Sequence, residues 1–164
     1  MSQTKKIILG LDPGLADTGF GIISKLGNKL TFIAAGSIRT AKNKDFIDRL
    51  ALIYKAVSVL IKKYQPDLVG VEKLYFAKNV KTALDVGQAR GVVLLAIAQN
   101  HKEIVEFTPL QIKQAIASSG QANKRQVGLM VKTILCLSQV PRPDDASDAL
   151  AVAITAAFFN KRLA

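Results

Sequence analysis

What this chain is short of narrows its chemistry first. Its 164 residues include one cysteine, Cys136, and one histidine, His101. A lone cysteine makes no internal disulfide, which fits a reducing compartment. Cys136 lies in the apolar run Ile134-Leu135-Cys136-Leu137 and is expected to pack as a small core residue. His101 falls just past a long helical pattern, where a structural or solvent-exposed role is expected. No stretch approaches the roughly 20 unbroken apolar residues of a membrane span. No basic n-region followed by an apolar h-region opens the sequence, so no export signal is read and the expected location is cytoplasmic. Internal repeats, low-complexity segments and linkers are missing too, so residues 1–164 read as a single domain with one core. Acids are scarce: 12 Asp plus Glu face 23 Lys plus Arg, a net charge of +11. So basic a surface points to a polyanionic partner, nucleic acid foremost.

What is present reads as alternating strands and helices. Ile7 to Leu11 is a short apolar strand stopped by Asp12-Pro13-Gly14, and Thr18 to Ile23 resumes a strand with glycines that admit a close neighbour. Gly27-Asn28 turns the chain into a third strand, Lys29 to Ile38, completing an antiparallel meander. From an N-cap at Asp45, apolar residues at Phe46, Leu50, Ile53, Val57, Leu60 and Ile61 predict a helix that ends before Pro66. Leu68 to Val71 is then a strand parallel to its predecessor, ending in Glu72. Asn79 to Asn100 predicts a long helix with two apolar or small-residue faces. One face covers the sheet; the other suits a twofold partner. Ile104 to Phe107 predicts a fifth strand. Helices follow from Pro109 to about Ile116, from Lys124 to Leu137 and from Ala146 to about Phe159. The last carries a thin stripe, Ala146, Ala149, Ala153 and Ala157, that can lie close against a sheet. The whole is a mixed α/β sheet with helices on both faces, which binds ligands at the carboxyl ends of its strands.

Two of those ends are acidic, Asp12 and Glu72, and Asp145 and Asp148 share one side of the first turn of the last helix. Helix capping explains the second pair taken alone, and a turn explains Asp12. Four acids converging with no buried base at fixed spacing need cations instead. Carboxylates without His or Cys partners suit hard ions such as Mg²⁺ or Mn²⁺ rather than zinc. Under a basic surface the expected substrate is a phosphodiester, and the expected reaction is its hydrolysis by two ions about 4 Å apart. Asp17, Asp85 and Asp144 are expected to be exposed or capping residues.

Four segments carry a resemblance: Gly10-Leu11-Asp12-Pro13-Gly14 with Thr18-Gly19, Glu72 to Asn79, Gly87-Gln88-Ala89-Arg90-Gly91, and Asp145 to Ala151. Over its full length the chain resembles the bacterial RuvC family of Holliday-junction resolvases, in the RNase H-like superfamily. The resemblance implies an RNase H-like domain: a five-stranded mixed sheet, three strands in an antiparallel meander plus two parallel strands, with helices on both faces. It implies Asp12, Glu72, Asp145 and Asp148 as metal ligands and catalytic residues, with two Mg²⁺ per subunit and Mn²⁺ as a substitute. Lys113 and Lys124 match basic residues beside the scissile strand. Tyr75 matches an aromatic near the junction centre, where the family usually has Phe, and Phe76 follows it. Lys78, Asn79 and Arg90 complete the implied DNA-binding set. Some relatives place His at the last ligand position, where this chain has Asp148. The family further implies a homodimer that nicks four-way junction DNA symmetrically in recombination and repair, alongside a branch-migration complex of the RuvA-RuvB type.

Other readings stay open on the residues alone. Asp12-Pro13-Gly14 with Thr18-Gly19 is also similar to the first phosphate loop of actin-like ATPases, of which this chain would be a fragment. A junction-binding module without activity, or another RNase H-like nuclease, would share much of the same pattern.

Overall fold

The computed structural model describes residues 4–74 and 80–159. The chain opens with the meander β1 (Lys6–Asp12), β2 (Asp17–Leu26) and β3 (Lys29–Arg39), turning at Gly27, whose φ of 60° suits a residue without a side chain. Helix α1 (Phe46–Tyr64) then crosses to β4 (Leu68–Glu72), which pairs parallel with β1. Helix α2 (Val80–Gln99) crosses again to β5 (Ile104–Phe107), parallel with β4. Three helices close the fold: α3 (Pro109–Ala117), α4 (Lys124–Ile134) and α5 (Asp144–Phe158). The strand order β3-β2-β1-β4-β5 is the expected mixed sheet, with β1, β4 and β5 parallel.

Alternation along the strands divides the core in two. Leu9, Leu11, Ile22, Val69 and Val71 face the layer of α1 and α2, packing on Ile53, Val57, Val93 and Ile97. Ile8, Ile23, Val105 and Phe107 face α5, behind which α3 and α4 supply Ile112, Ile116, Val127 and Val131. Helix α5 is therefore sandwiched, and every residue from 149 to 157 is buried. Its alanine stripe does what the spacing predicts. A Cβ built on Gly10 would stand 2.1 Å from the Ala149 carbonyl oxygen and 2.5 Å from the Ala153 nitrogen, so helix and sheet touch backbone to backbone there.

Some expectations change. Asp45 sits at the N-cap of α1, but its side chain makes no capping hydrogen bond. Helix α4 stops at Ile134, short of Leu137, because Leu135 caps it and Cys136 turns to a left-handed φ of 52°. That turn leaves Leu135 buried and exposes Cys136, so the cysteine is not a core residue. Helices α3 and α4 start on reciprocal caps, Thr108 with Gln111 and Asn123 with Gln126. The second cap places Lys124 at the first helical position of α4.

Candidate active site

The parallel register brings the two strand-end acids together. Leu11 pairs with Val71, so the next residues, Asp12 and Glu72, leave adjacent strands side by side. Leu11 and Val71 face α1 and α2, so by alternation Asp12 and Glu72 face the opposite way, toward the start of α5. Across the antiparallel pairing Asp12 stands opposite Gly19 of β2. A Cβ on Gly19 would stand 2.0 Å from the Asp145 carbonyl oxygen, so this glycine is the space into which the first turn of α5 descends. The loop after Asp12 is pinned from within: Thr18, fully buried, donates its hydroxyl to the Gly14 carbonyl at 2.7 Å.

The carboxylates feel one another strongly. Burial, the charges of Glu72 and Asp148, a hydrogen bond with Glu72 and the charge of Asp145 together push the Asp12 carboxyl up to about 8. Burial is also the first cause raising Glu72; the hydrogen bond from Asp12 and the charges of Lys124 and Lys113 oppose it. In the metal-free site, then, a proton sits on Asp12 and is shared with Glu72. Asp145 is raised by burial, by Asp17 and by Asp148, against Lys124 and its own backbone N–H. Lys124 Nζ donates to Asp148 Oδ2 at 3.0 Å, and that bond together with the charge of Asp148 raises the lysine. The Lys124 side chain is largely solvent-exposed, so the bond adds little to stability. It does show the site taking a cation where one can reach.

The structure thus gathers all four expected acids and brings Lys113 and Lys124 to bear on them. Among the described residues no three His, Cys, Asp or Glu side chains close around a single point as a finished metal cage. Four carboxylates, two sharing a proton and one held by a lysine, nonetheless form an all-oxygen donor set that fits a hard cation.

Arg90 lies elsewhere. Its guanidinium on α2 pairs with Glu106 of β5, half-buried, so it is not a free cation. Tyr75, Phe76, Lys78 and Asn79 fall outside the described residues. His101 is exposed in a left-handed turn, as expected.

Asp17 is what the sequence reading missed. It accepts hydrogen bonds from Ser37 Oγ and Arg39 Nε, both at 3.1 Å, and its charge acts directly on Asp145. Its place at the start of β2, in the same hairpin as Asp12, was the available signal.

The family profile for crossover junction endodeoxyribonuclease RuvC matches residues 8–156. The chain belongs to the RuvC family. A RuvC of Halothermothrix orenii is 53% identical over 148 residues, covering 90% of each chain. One of Rubrobacter xylanophilus is 49% identical over 160 residues, covering 98% of this chain and 89% of the relative. Among solved structures, Thermus thermophilus RuvC in complex with Holliday junction substrate matches with a TM-score of 0.88 and 34% identity over 93% of each chain. RuvC membership over nearly the whole length replaces the reading of the chain as a fragment of an actin-like ATPase.

Proposed function

We propose that this chain is a Holliday-junction resolvase that hydrolyses phosphodiester bonds at Asp12, Glu72, Asp145 and Asp148, nicking two opposed strands of a four-way DNA junction as a homodimer. One observation carries the reading: β1, β4 and the first turn of α5 set four carboxylates in one another's field, and Asp12 is buried deeply enough among them to keep its proton up to about 8. Such repulsion is relieved by divalent cations, and Mg²⁺, two ions per site with Mn²⁺ as a substitute, is the group these oxygens suit. Held by Asp12, Glu72, Asp145 and Asp148, such ions would supply an activated water and charge neutralisation on the phosphodiester.

The chain's own residues do the rest. Asp12 and Glu72 give up their shared proton as the site is loaded, and the rigid backbone contact between β2 and α5 at Gly19 keeps Asp145 beside them. Lys124, released from Asp148, and Lys113 face the strand being cut and balance charge on its phosphate. The net charge of +11 draws the polyanion in. Tyr75 and Phe76 follow Glu72 in the chain and are proposed to stack on unpaired bases at the branch point, with Lys78 and Asn79 beside them; Arg90 would join this DNA-binding set by exchanging Glu106 for a phosphate.

The dimer is proposed through the outward face of α2, where Leu84 is 61% and Leu95 51% exposed, three turns apart on one side of the helix, with Gly91 open between them. A resolvase of this kind works in recombination and repair with a branch-migration complex of the RuvA-RuvB type.

Asp145→Asn tests the site. It is expected to bind junctions as the wild type does and to cut at least roughly a hundredfold more slowly, the loss of a metal ligand's several kcal/mol of transition-state stabilisation. Cutting at more than about a tenth of the wild-type rate, on the same scale, would remove Asp145 from the catalytic set.

A further inference from the structure

Next to the acids lies a cleft of about 560 Å³, between the first turns of α4 and α5 and the chain that joins them. Lys124 and Asp148 line both this cleft and the catalytic group, so the two are continuous. On its wall is Ser147, 6% exposed, whose hydroxyl oxygen is buried without any hydrogen-bond partner. An orphaned buried hydroxyl calls for a ligand that completes it. Gly128 flanks it closely: a Cβ there would come 3.5 Å from Ser147 Oγ and 3.0 Å from Val140 Cγ1, so a side chain at 128 would crowd this wall.

The rim sets the charge of that ligand. Lys124, Arg125 and Arg142 stand against Asp144 and Asp148, three bases to two acids, a surplus of one positive charge. Lys124 and Asp148 already satisfy each other. What remains, two exposed arginines, one carboxylate and an unpaired hydroxyl donor, fits a monoanion with several acceptor oxygens.

We propose that this cleft is a second phosphate seat, which takes the phosphodiester adjoining the scissile one on the cut strand through Ser147 Oγ, Arg125 and Arg142. The proposal rests on the junction-cleaving reading of the acid cluster and adds to it the residues that set the register of the strand. Ser147 and the arginines are here positioning residues: they hold the neighbouring linkage, and so decide which phosphate lies over the acids.

The test pairs protein and DNA changes. Junction affinity is measured by fluorescence anisotropy without divalent metal, across salt, for the wild type, Ser147→Ala and Arg125→Gln with Arg142→Gln. Each is measured on junctions carrying a single neutral methylphosphonate at successive linkages beside the cut. One linkage is expected at which neutralisation weakens the wild type about tenfold and the double arginine variant hardly at all. The salt slope of the double variant should fall by roughly 0.7 to 0.9, the value of one lost phosphate contact. Ser147→Ala should bind several-fold more weakly while melting at the wild-type temperature or above it, because alanine removes an unpaired hydroxyl from a helix.

Methylphosphonate and arginine losses that simply multiply at every linkage would overturn the seat. So would Ser147→Ala binding as tightly as the wild type, or melting earlier with unchanged affinity, which makes the hydroxyl structural. A wild type that binds and cuts junctions while the cycle fails loses only the seat; a wild type that does neither loses the junction-cleaving reading with it.

Discussion

Asp12→Asn should make the metal-free protein more stable while stopping its chemistry. Unfolded, Asp12 titrates at the ordinary carboxylate value of 3.8; folded, it holds its proton to about 8. Between those values the native state binds more protons than the unfolded one, so Asp12 favours folding fully below 3.8 and progressively less as pH rises toward 8. Glu72 and Asp145 are raised as well, so their slopes have the same sign. At about 1.4 kcal/mol per pH unit over the roughly three units between the unfolded value and neutrality, Asp12 burdens the native state at pH 7 by on the order of 4 kcal/mol. Asparagine keeps the shape and the hydrogen bond toward Glu72 but has no proton to lose. A chain of this size gains about 2 to 4 °C in Tm per kcal/mol, so the variant should melt on the order of 10 °C higher at pH 7 in chelator. The advantage should vanish by pH 4. Mg²⁺ should raise the wild type's Tm and the variant's far less, because the wild type alone keeps the full ligand set. The check is thermal unfolding by circular dichroism from pH 4 to 8.5, with chelator and with Mg²⁺. If Asp12→Asn melts below the wild type at pH 7 in chelator, or its advantage does not shrink as pH falls, the carboxylates do not repel as described.

Two predictions concern the scaffold. Gly10→Ala should destabilise the protein by about 1 to 3 kcal/mol or more, since the new methyl meets backbone of α5 at 2.1 Å and the helix has to move off the sheet; denaturant unfolding measures it. Leu84→Glu with Leu95→Glu should leave the fold intact and convert a dimer to the monomer mass of 17.7 kDa in light scattering, whereas a wild type that is already monomeric at tens of micromolar with junction present contradicts the proposed interface.

The elements and the acids were legible in the sequence because they rest on local rules. Asp12 and Glu72 follow short apolar strands, and strand alternation with a parallel register then leaves them side by side. Spacing announced that the alanine stripe of α5 can lie close against a sheet; that the glycines of β1 and β2 are the surface it meets is seen only in the fold. Residues whose roles depend on which face of the sheet they meet were harder. Arg90 is implied by the resemblance as a DNA-binding residue, and only the fold shows that Glu106 of β5 pairs with its guanidinium. Asp17 reads as a surface acid until β3 brings Ser37 and Arg39 alongside and α5 sets Asp145 opposite. Cys136 sits in an apolar run, but the left-handed turn there reverses the side to which it points. Ser147 carried no signal of its own in the sequence, and only the packing of α4 against α5 shows its hydroxyl buried and unpaired.

The most direct measurement is cleavage with Mg²⁺ of three substrates at equal concentration: a four-way junction, a duplex of matched sequence and an RNA–DNA hybrid. Paired nicks at symmetric positions in the junction are expected, with little cutting of duplex or hybrid and a loss of at least roughly a hundredfold with Asp12→Asn. Equal cutting of all three substrates, or an Asp12→Asn variant that still resolves junctions at more than about a tenth of the wild-type rate, contradicts the junction-cleaving reading.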